Sequence, residues 1–552
     1  MVAVVPAGRA DASVTTLRGM SLEEKVGQLF VTYVNGQAAD VAHPKNQTDF
    51  GVGTPAEMVR KYHPGGVIYF NNSSRDNIDT PKQIAQLSNG LQKASKIPLL
   101  ISTDQEMGLV TRIGPPATQL PGNMALGAGR STQDAEEAAH ITAMELRAMG
   151  INQDFAPDAD VNSNPTNPII GVRSYSSDPT LAADMVKAQV QGYEGRRWFA
   201  MDSVTATAKH FPGHGDTSED SHTSLPVSNR SLDQWRQIDA PPFKAAIESK
   251  IDSIMTAHIQ VPQIEPSGEP ATLSPKIITG LLREELKYDG VIVTDSLEMA
   301  GVRKLHPNDA EIPILALKAG VDQLLMPPNL GVAVESVLTA VRTGVISEQR
   351  INESVLRILK MKLLRGVMLT AEVDENKVDQ IVGSNTQAAQ RIADRTITAV
   401  RNDAQAIPLQ ATAPLVVGTS DAPVTALATR LKATKSVTAT SPTPAQVQQT
   451  LAAAAKADKI VVLTNGLGTR PAQLDLLNQL VATGKPVIAV ATGVPYDVAH
   501  SNAKTWLASY STTNVSMEAL AKILLGETKP QGKLPVDVPG PASYPFGHGL
   551  SW

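Results

Sequence analysis

The chain contains no cysteine. Disulfide scaffolds, thiolate zinc sites, iron–sulfur clusters and cysteine nucleophiles are therefore excluded. Aromatic residues make up only 4% of its 552 residues, so its cores rest on Ala, Val, Ile and Leu; at 42% hydrophobic residues the chain has enough of these. There is no basic excess. Lys and Arg number 49 against 54 Asp and Glu, a net charge of −5, which argues against a nucleic-acid surface. No run of about 18 apolar residues appears, so no membrane-spanning helix is expected. Residues Met1 to Ser13 lack the basic start and long apolar stretch of a secretion signal. Gly and Pro are near average usage, which excludes a collagen-like or low-complexity chain. There is no short fixed-period repeat.

What the chain does have is a series of short Val-, Ile- and Leu-rich segments. In the first ~370 residues these are Val26–Val34, Gly66–Phe70, Pro98–Ser102, Ile151–Ala156, Val204–His210, Ser253–His258, Gly290–Asp295 and Asp322–Met326. Helical patterns such as Asp134–Met149 and Pro275–Leu286 lie between them. Alternating strands and helices give a parallel sheet with helical crossovers, and eight strands over this length suit a (β/α)8 barrel. Several segments end in a residue of catalytic type: Asp104, Lys209 and His210, His258, and Asp295. Barrel active sites are built at the strand C-termini. The helical stretch Ser347–Leu363 closes this series. A second α/β series follows, with strands at Ala413–Thr419, Lys459–Asn465, Val487–Thr492 and Thr505–Ser511, and helices at Pro444–Ala457 and Pro471–Thr483. The expected architecture is α/β: a TIM-like barrel over 14–370, a linker over 371–395, a three-layer αβα sandwich over 396–540 and a tail over 541–552. No G-x-G-x-x-G follows the first strand of the second series, so a dinucleotide role has no support.

The richest segment for chemistry is KHFPGHGDTSEDSHTSLP, Lys209–Pro226, with three histidines, one lysine and three carboxylates. One reading is a metal site, since His210 and His214 are four apart. Pro212, Gly213 and Gly215 argue against the helix that would put both rings on one face. A second reading is a proton-transfer pair. Asp220 and His222 are two apart, and a carboxylate on one imidazole nitrogen leaves the other free to exchange a proton. A third is a solvated polar loop. In GVIVTDSLEM, Gly290–Met299, Asp295 ends a strand. It could act as nucleophile, base or ligand, or simply cap a helix in a box with Glu298. Two further charged loops are DQEMGLVTR, with Asp104 and Arg112 at its ends, and the stretch from Asp160 to Asp178 that contains Arg173. Carboxylates and guanidinium groups above a barrel mouth can grip sugar hydroxyls or phosphate; Asp160 can equally serve as a turn residue.

At these residues the chain resembles glycoside hydrolase family 3, in its β-N-acetylglucosaminidase branch. That branch carries a KHFPGHGD…DSH…LP stretch, and the PFGHGLSW tail resembles two-domain members. The resemblance spans essentially the whole chain. It implies Asp295 as catalytic nucleophile, His222 as general acid/base on a mobile loop and Asp220 as its orienting partner. It implies Lys209, His210, Asp104, Arg112, Arg173, Asp160 and His258 as sugar-binding residues, Asp160 retaining the carboxylate of the PVLDV stretch (PDADV here) and His258 standing at a strand end. No cofactor and no metal is implied. Two departures occur in the family's DQEGGRVQR stretch: Met107 and Leu109 replace a Gly and an Arg, a change expected to act on the aglycone.

These readings converge on a retaining exo-β-N-acetylglucosaminidase that removes terminal sugar from peptidoglycan or chitin fragments through a glycosyl-aspartate intermediate. Retaining enzymes commonly use two carboxyls. An imidazole in place of one of them repels an anion less, which keeps phosphorolysis open. A β-glucosidase and a catalytically inactive sugar-binding protein stay open as well. The expected partner is a small carbohydrate, and the oligomeric state is left open. A cell-wall-fragment substrate would place the enzyme outside the cell or on its surface, with a signal or lipid-anchor segment outside this chain; a cytoplasmic recycling role is the alternative.

Overall fold

The computed structural model describes residues 7–195 and 202–552. Residues 1–6, part of the stretch without a secretion-signal pattern, lie outside the described residues. Eight parallel strands form the first sheet: β1 (Phe30–Thr32), β2 (Gly66–Ile68), β3 (Leu100–Thr103), β4 (Gln153–Asp154), β5 (Thr205–Phe211), β6 (Ser253–Thr256), β7 (Val291–Val293) and β8 (Leu324–Leu325). Each pairs in parallel with the next, and β8 returns to β1 through Phe30–Leu324 and Val31–Leu325. A bridge from Val293 to Gln323 joins the last two strands, so the sheet closes into the expected barrel. Every strand is buried along its full length, as a sheet enclosed by helices requires.

The first apolar segment is only partly strand. Ser21 and Glu24 form a capping box that starts a helix over Leu22–Gln28, and this helix takes the first part of Val26–Val34. Elsewhere the expected helices appear, at Thr132–Ala148, Lys276–Glu285 and Glu348–Leu364, the middle one wound with wide i→i+5 turns. Between the barrel and the second sheet the chain forms short helices at Val378–Ile381 and Thr386–Ala393.

The second sheet has six strands: β9 (Thr398–Asn402), β10 (Pro414–Gly418), β11 (Thr434–Val437), β12 (Lys459–Thr464), β13 (Val487–Ala491) and β14 (Thr505–Ala508), in the order β11-β10-β12-β13-β14-β9. All are parallel except β9, which runs antiparallel beside β14. Strand order reverses at β10. Right-handed crossovers therefore place the Asp421–Leu431 helix on one face and the Pro444–Lys456 and Pro471–Ala482 helices on the other. Two strands are not legible in the sequence. β11 is a short, largely exposed edge with one apolar residue, and β9 directly follows a helix.

The two units touch through specific bonds. The Asn162 amide donates to the Tyr496 hydroxyl at 3.0 Å, and the Ser176 hydroxyl donates to the Pro535 carbonyl at 2.6 Å. The second unit thus braces the 160–178 loop of the barrel.

Candidate active site

A cavity of about 540 Å³ opens at the C-terminal end of the barrel strands, within the range of about 300–1,000 Å³ usual for small-molecule sites. It is lined by Asp104, Arg112, Arg173, Lys209, His210, His222 and Asp295 among others. These seven come from strand ends and the loops that follow them. The fold therefore gathers residues that lie up to 191 positions apart in the chain (104 to 295).

Asp295 follows β7 and is half-buried. It caps no helix: the next helix starts at Ala300, and Glu298 is held instead by Arg75 at 2.6 and 3.0 Å. The capping-box alternative is thus absent, and the Asp295 carboxylate is left facing the cavity. Its Oδ1 accepts the Ser296 N–H at 2.7 Å. Burial pushes its pKa up, but the His210 and His258 rings, that N–H and the Lys209 ammonium outweigh it and hold the group below the usual aspartate range.

Beside it lies a charge network that sequence motifs identify only in part. Lys209 Nζ sits 3.0 Å from Asp104 Oδ1 and 2.6 Å from Glu106 Oε1. Arg173 grips Glu106 with two bonds of 2.8 Å, and Arg112 reaches Asp104 at 3.4 Å. Burial opposes the charge on Lys209, Arg173 and Glu106, yet each keeps it because opposite charges surround it. Glu106 lines the cavity and is a candidate site residue that the strand-end pattern does not single out. Its signal is the DQE triplet, in which Asp104 alone directly follows the apolar run. Asp104 and Arg112 remain only part-buried and available to a ligand.

Asp160 and His258, expected to touch sugar, do not line the cavity. Asp160 is wholly occupied behind the wall. Its Oδ2 meets His210 Nδ1 at 2.7 Å, and its Oδ1 accepts the His214 N–H at 2.6 Å. Burial raises its pKa, but the His210 and His214 groups bring it down to about 2. His258 lies beneath the Asp295 turn, where Nε2 donates to the Ser296 carbonyl at 2.9 Å. Burial lowers its pKa. Both residues act on the cavity through the groups that they hold.

Asp158, Asp160 and His210 are the only trio among the described residues close enough to gather a cation. It is a different set from the His210–His214 pair. Its charge is already answered: Arg173 stands 3.7 Å from Asp158, and Asp160 is bonded to His210. Burial, and then its neighbour Asp160, push Asp158 well above the usual aspartate range.

Tight glycine packing shapes the segment after β5. A Cβ on Gly215 would lie 1.9 Å from the Val161 carbonyl oxygen, and Gly213 adopts φ +131, which side chains rarely allow. The loop then exposes its next acidic and imidazole groups. Asp220 Oδ1 stands 2.7 Å from His222 Nδ1 and accepts the His222 N–H at 2.9 Å. Burial raises Asp220, but these His222 contacts outweigh it and lower its pKa. The His222 side chain is 59% exposed, and it also lines the cavity.

The cavity thus combines a half-buried carboxylate of lowered pKa, a cation-rich wall and an imidazole–carboxylate pair at its rim. Comparison with known proteins identifies the family. The glycosyl hydrolase family 3 N-terminal domain matches residues 21–361, and the family 3 C-terminal domain matches residues 374–552. The chain is 33% identical to β-hexosaminidase A of Pseudoalteromonas piscicida, over 88% of this chain and 90% of that protein. It is 30% identical to a β-N-acetylglucosaminidase/β-glucosidase of Cellulomonas fimi, over 72% of this chain and 67% of that protein. The solved structure of a family 3 β-N-acetylglucosaminidase from Paenibacillus sp. str. FPU-7 is 36% identical with a TM-score of 0.84, covering 94% of this chain and 99% of that one. With its closed barrel, second sheet and charged cavity, the chain is a glycoside hydrolase and belongs to glycosyl hydrolase family 3.

Proposed function

We propose that the protein is a retaining exo-β-N-acetylglucosaminidase. The observation that carries the mechanism is that Asp295 and His222 line one cavity in different electrostatic settings. Asp295 is half-buried, and the cationic and N–H groups around it hold its pKa below the usual aspartate range. His222 is exposed, with Nδ1 committed to Asp220 and Nε2 free. Such a split supports reading Asp295 as nucleophile and His222 as proton carrier. The sugar is supported by the names and closeness of the relatives in Pseudoalteromonas piscicida and Paenibacillus.

In the first step the Asp295 carboxylate attacks the anomeric carbon while His222 gives a proton to the departing oxygen. A glycosyl ester forms and the aglycone leaves. In the second step His222 takes a proton from water, which attacks the anomeric carbon and releases Asp295. Asp220 holds the ring orientation and favours the transient imidazolium. Lys209, Arg173 and Asp104 form the wall on which the sugar hydroxyls are gripped. The natural substrates are β-linked N-acetylglucosamine ends of peptidoglycan or chitin fragments, met outside the cell or at its surface.

The experiment is release of nitrophenol from its β-N-acetylglucosaminide and its β-glucoside, with and without phosphate, beside Asp295→Asn. Selective release from the acetamido sugar, abolished in Asp295→Asn, supports this reading. Sugar 1-phosphate as main product would replace hydrolysis by phosphorolysis, which an imidazole acid/base tolerates because it does not repel the anion as a carboxylate would. No release from either sugar would overturn the proposal.

A further inference from the structure

Between Ser218 and Ser224 the chain is exposed or half-buried at every position but one. The exception is Ser221, which lies between Asp220 and His222 and is only 3% exposed. Its hydroxyl is 3.0 Å from Nε2 of His214. Its carbonyl accepts the N–H of Gly301 at 3.1 Å. Gly301 is six residues beyond Asp295, and glycine is required there: a Cβ would stand 2.8 Å from the His258 carbonyl oxygen and 3.1 Å from that of Ser221.

The ring that meets Ser221 is itself fixed. His214 Nδ1 lies 2.8 Å from Thr217 Oγ1, and Thr217 Oγ1 also donates to the His214 carbonyl at 3.0 Å. Thr217 has one hydroxyl proton, so its oxygen accepts from His214 Nδ1–H. Nε2 is then the acceptor, and the Ser221 hydroxyl is the donor. Burial holds His214 down at about 4, in keeping with this neutral ring. The His214 backbone N–H bonds Asp160, which also holds His210.

We propose that Ser221 is a positioning residue, pinned by His214 and Gly301, that sets the Asp220–His222 pair over the cavity. The pin ties the loop carrying the proton donor to the turn carrying Asp295 and to the support behind the sugar wall. It rests on the assignment of His222 as acid/base. A general acid must come within about 2.6–3.2 Å of the oxygen it protonates, and a shift of about 1 Å can cost about 100-fold. Among residues 218–224, no other buried side chain fixes the loop.

The test compares Ser221→Ala, Ser221→Thr and His222→Ala on β-N-acetylglucosaminides with dinitrophenol, nitrophenol and simple alcohol leaving groups. Dinitrophenol leaves with little help from an acid; an alcohol needs a proton. Ser221→Ala should lose roughly 10–100-fold in kcat/KM on the alcohol glycoside and only a few-fold on the dinitrophenyl one, within the range of general acid catalysis. Ser221→Thr, which keeps the hydroxyl, should restore most of the loss. A Ser221→Ala protein that does not fold is replaced by Ser221→Cys, whose thiol fills the site but donates weakly. Uniform loss across the series, or none, overturns the pin if His222→Ala still shows the leaving-group dependence. If His222→Ala shows no such dependence, the acid/base assignment fails and takes the pin with it.

Discussion

Arg173 and Glu106 meet through two hydrogen bonds of 2.8 Å each, with the carboxylate almost wholly shielded from water. Lys209 adds a third contact at 2.6 Å. Glu106 is the shared anion of two cations that line the cavity. Its replacement by Gln should destabilise the protein by about 3–5 kcal/mol, the usual cost of breaking a buried pair. Denaturant unfolding at pH 7 checks this, and an unchanged midpoint would exclude it. The folded pKa of Glu106 is depressed. Its contribution is therefore present above the unfolded value of about 4.3 and is lost as pH falls below it.

With Asp295 as the proposed nucleophile, its lowered pKa should set the acid side of the pH–rate profile. Burial alone would move that limb upward; His210, His258, the Ser296 N–H and Lys209 move it down. The acid limb of kcat/KM should fall below the ordinary aspartate value of about 3.9. Short assays on the nitrophenyl substrate, with pre-incubation controls for stability, test this. A limb near about pH 6, where burial alone can push a carboxyl, would mean that the Asp295 carboxylate is not compensated as described.

Asp154 behaves in the opposite sense. It is buried on β4; its Oδ1 accepts the Gln105 N–H at 2.9 Å, but its Oδ2 has no partner. Burial raises its pKa to about 8. A carboxyl with a raised folded pKa gives stability that is full below its unfolded value and lost as pH rises to the folded one. From about pH 5 to about pH 8, Asp154→Asn should gain on the unsubstituted protein by up to about 1.4 kcal/mol per pH unit, levelling off above. Thermal melts of both proteins across this range provide the test; parallel curves would contradict the buried proton.

Leu109 lines the mouth of the cavity and is 71% exposed. It stands where the family stretch has arginine. Leu109→Arg should change stability by no more than about 0.5 kcal/mol, as surface substitutions usually do. It should lower KM for substrates with an anionic aglycone and leave the neutral nitrophenyl glycoside nearly unchanged. Equal effects on both substrates would place Leu109 away from the aglycone.

Much of this arrangement is legible in the sequence because barrel strands carry their chemistry at their ends. Asp104, Lys209, His210 and Asp295 can be found from apolar runs that stop at a polar residue. The Lys209–Pro226 motif adds the loop residues. What cannot be read is which polar groups face the cavity and which stand behind it. His258 ends an apolar segment in the same way and Asp160 opens a charged loop, yet one is held by a peptide carbonyl and the other is consumed by two histidines. Only three-dimensional neighbours decide that. β11 escapes the pattern because an exposed edge needs no apolar alternation, and the capping-box alternative at Asp295 fails because a distant arginine, Arg75, takes Glu298.

The C-terminal tail has a consequence of another kind. β9 is the outer strand of the second sheet, and Leu550 lies beside it, its N–H bonded to the Ala399 carbonyl at 2.7 Å. Lys533 also reaches the Gly549 carbonyl at 2.6 Å. The last residues thus act as a selvedge, closing a border that would otherwise be open to pairing with a neighbouring molecule. Trimming them would show first as self-association, seen in light scattering before any loss of turnover.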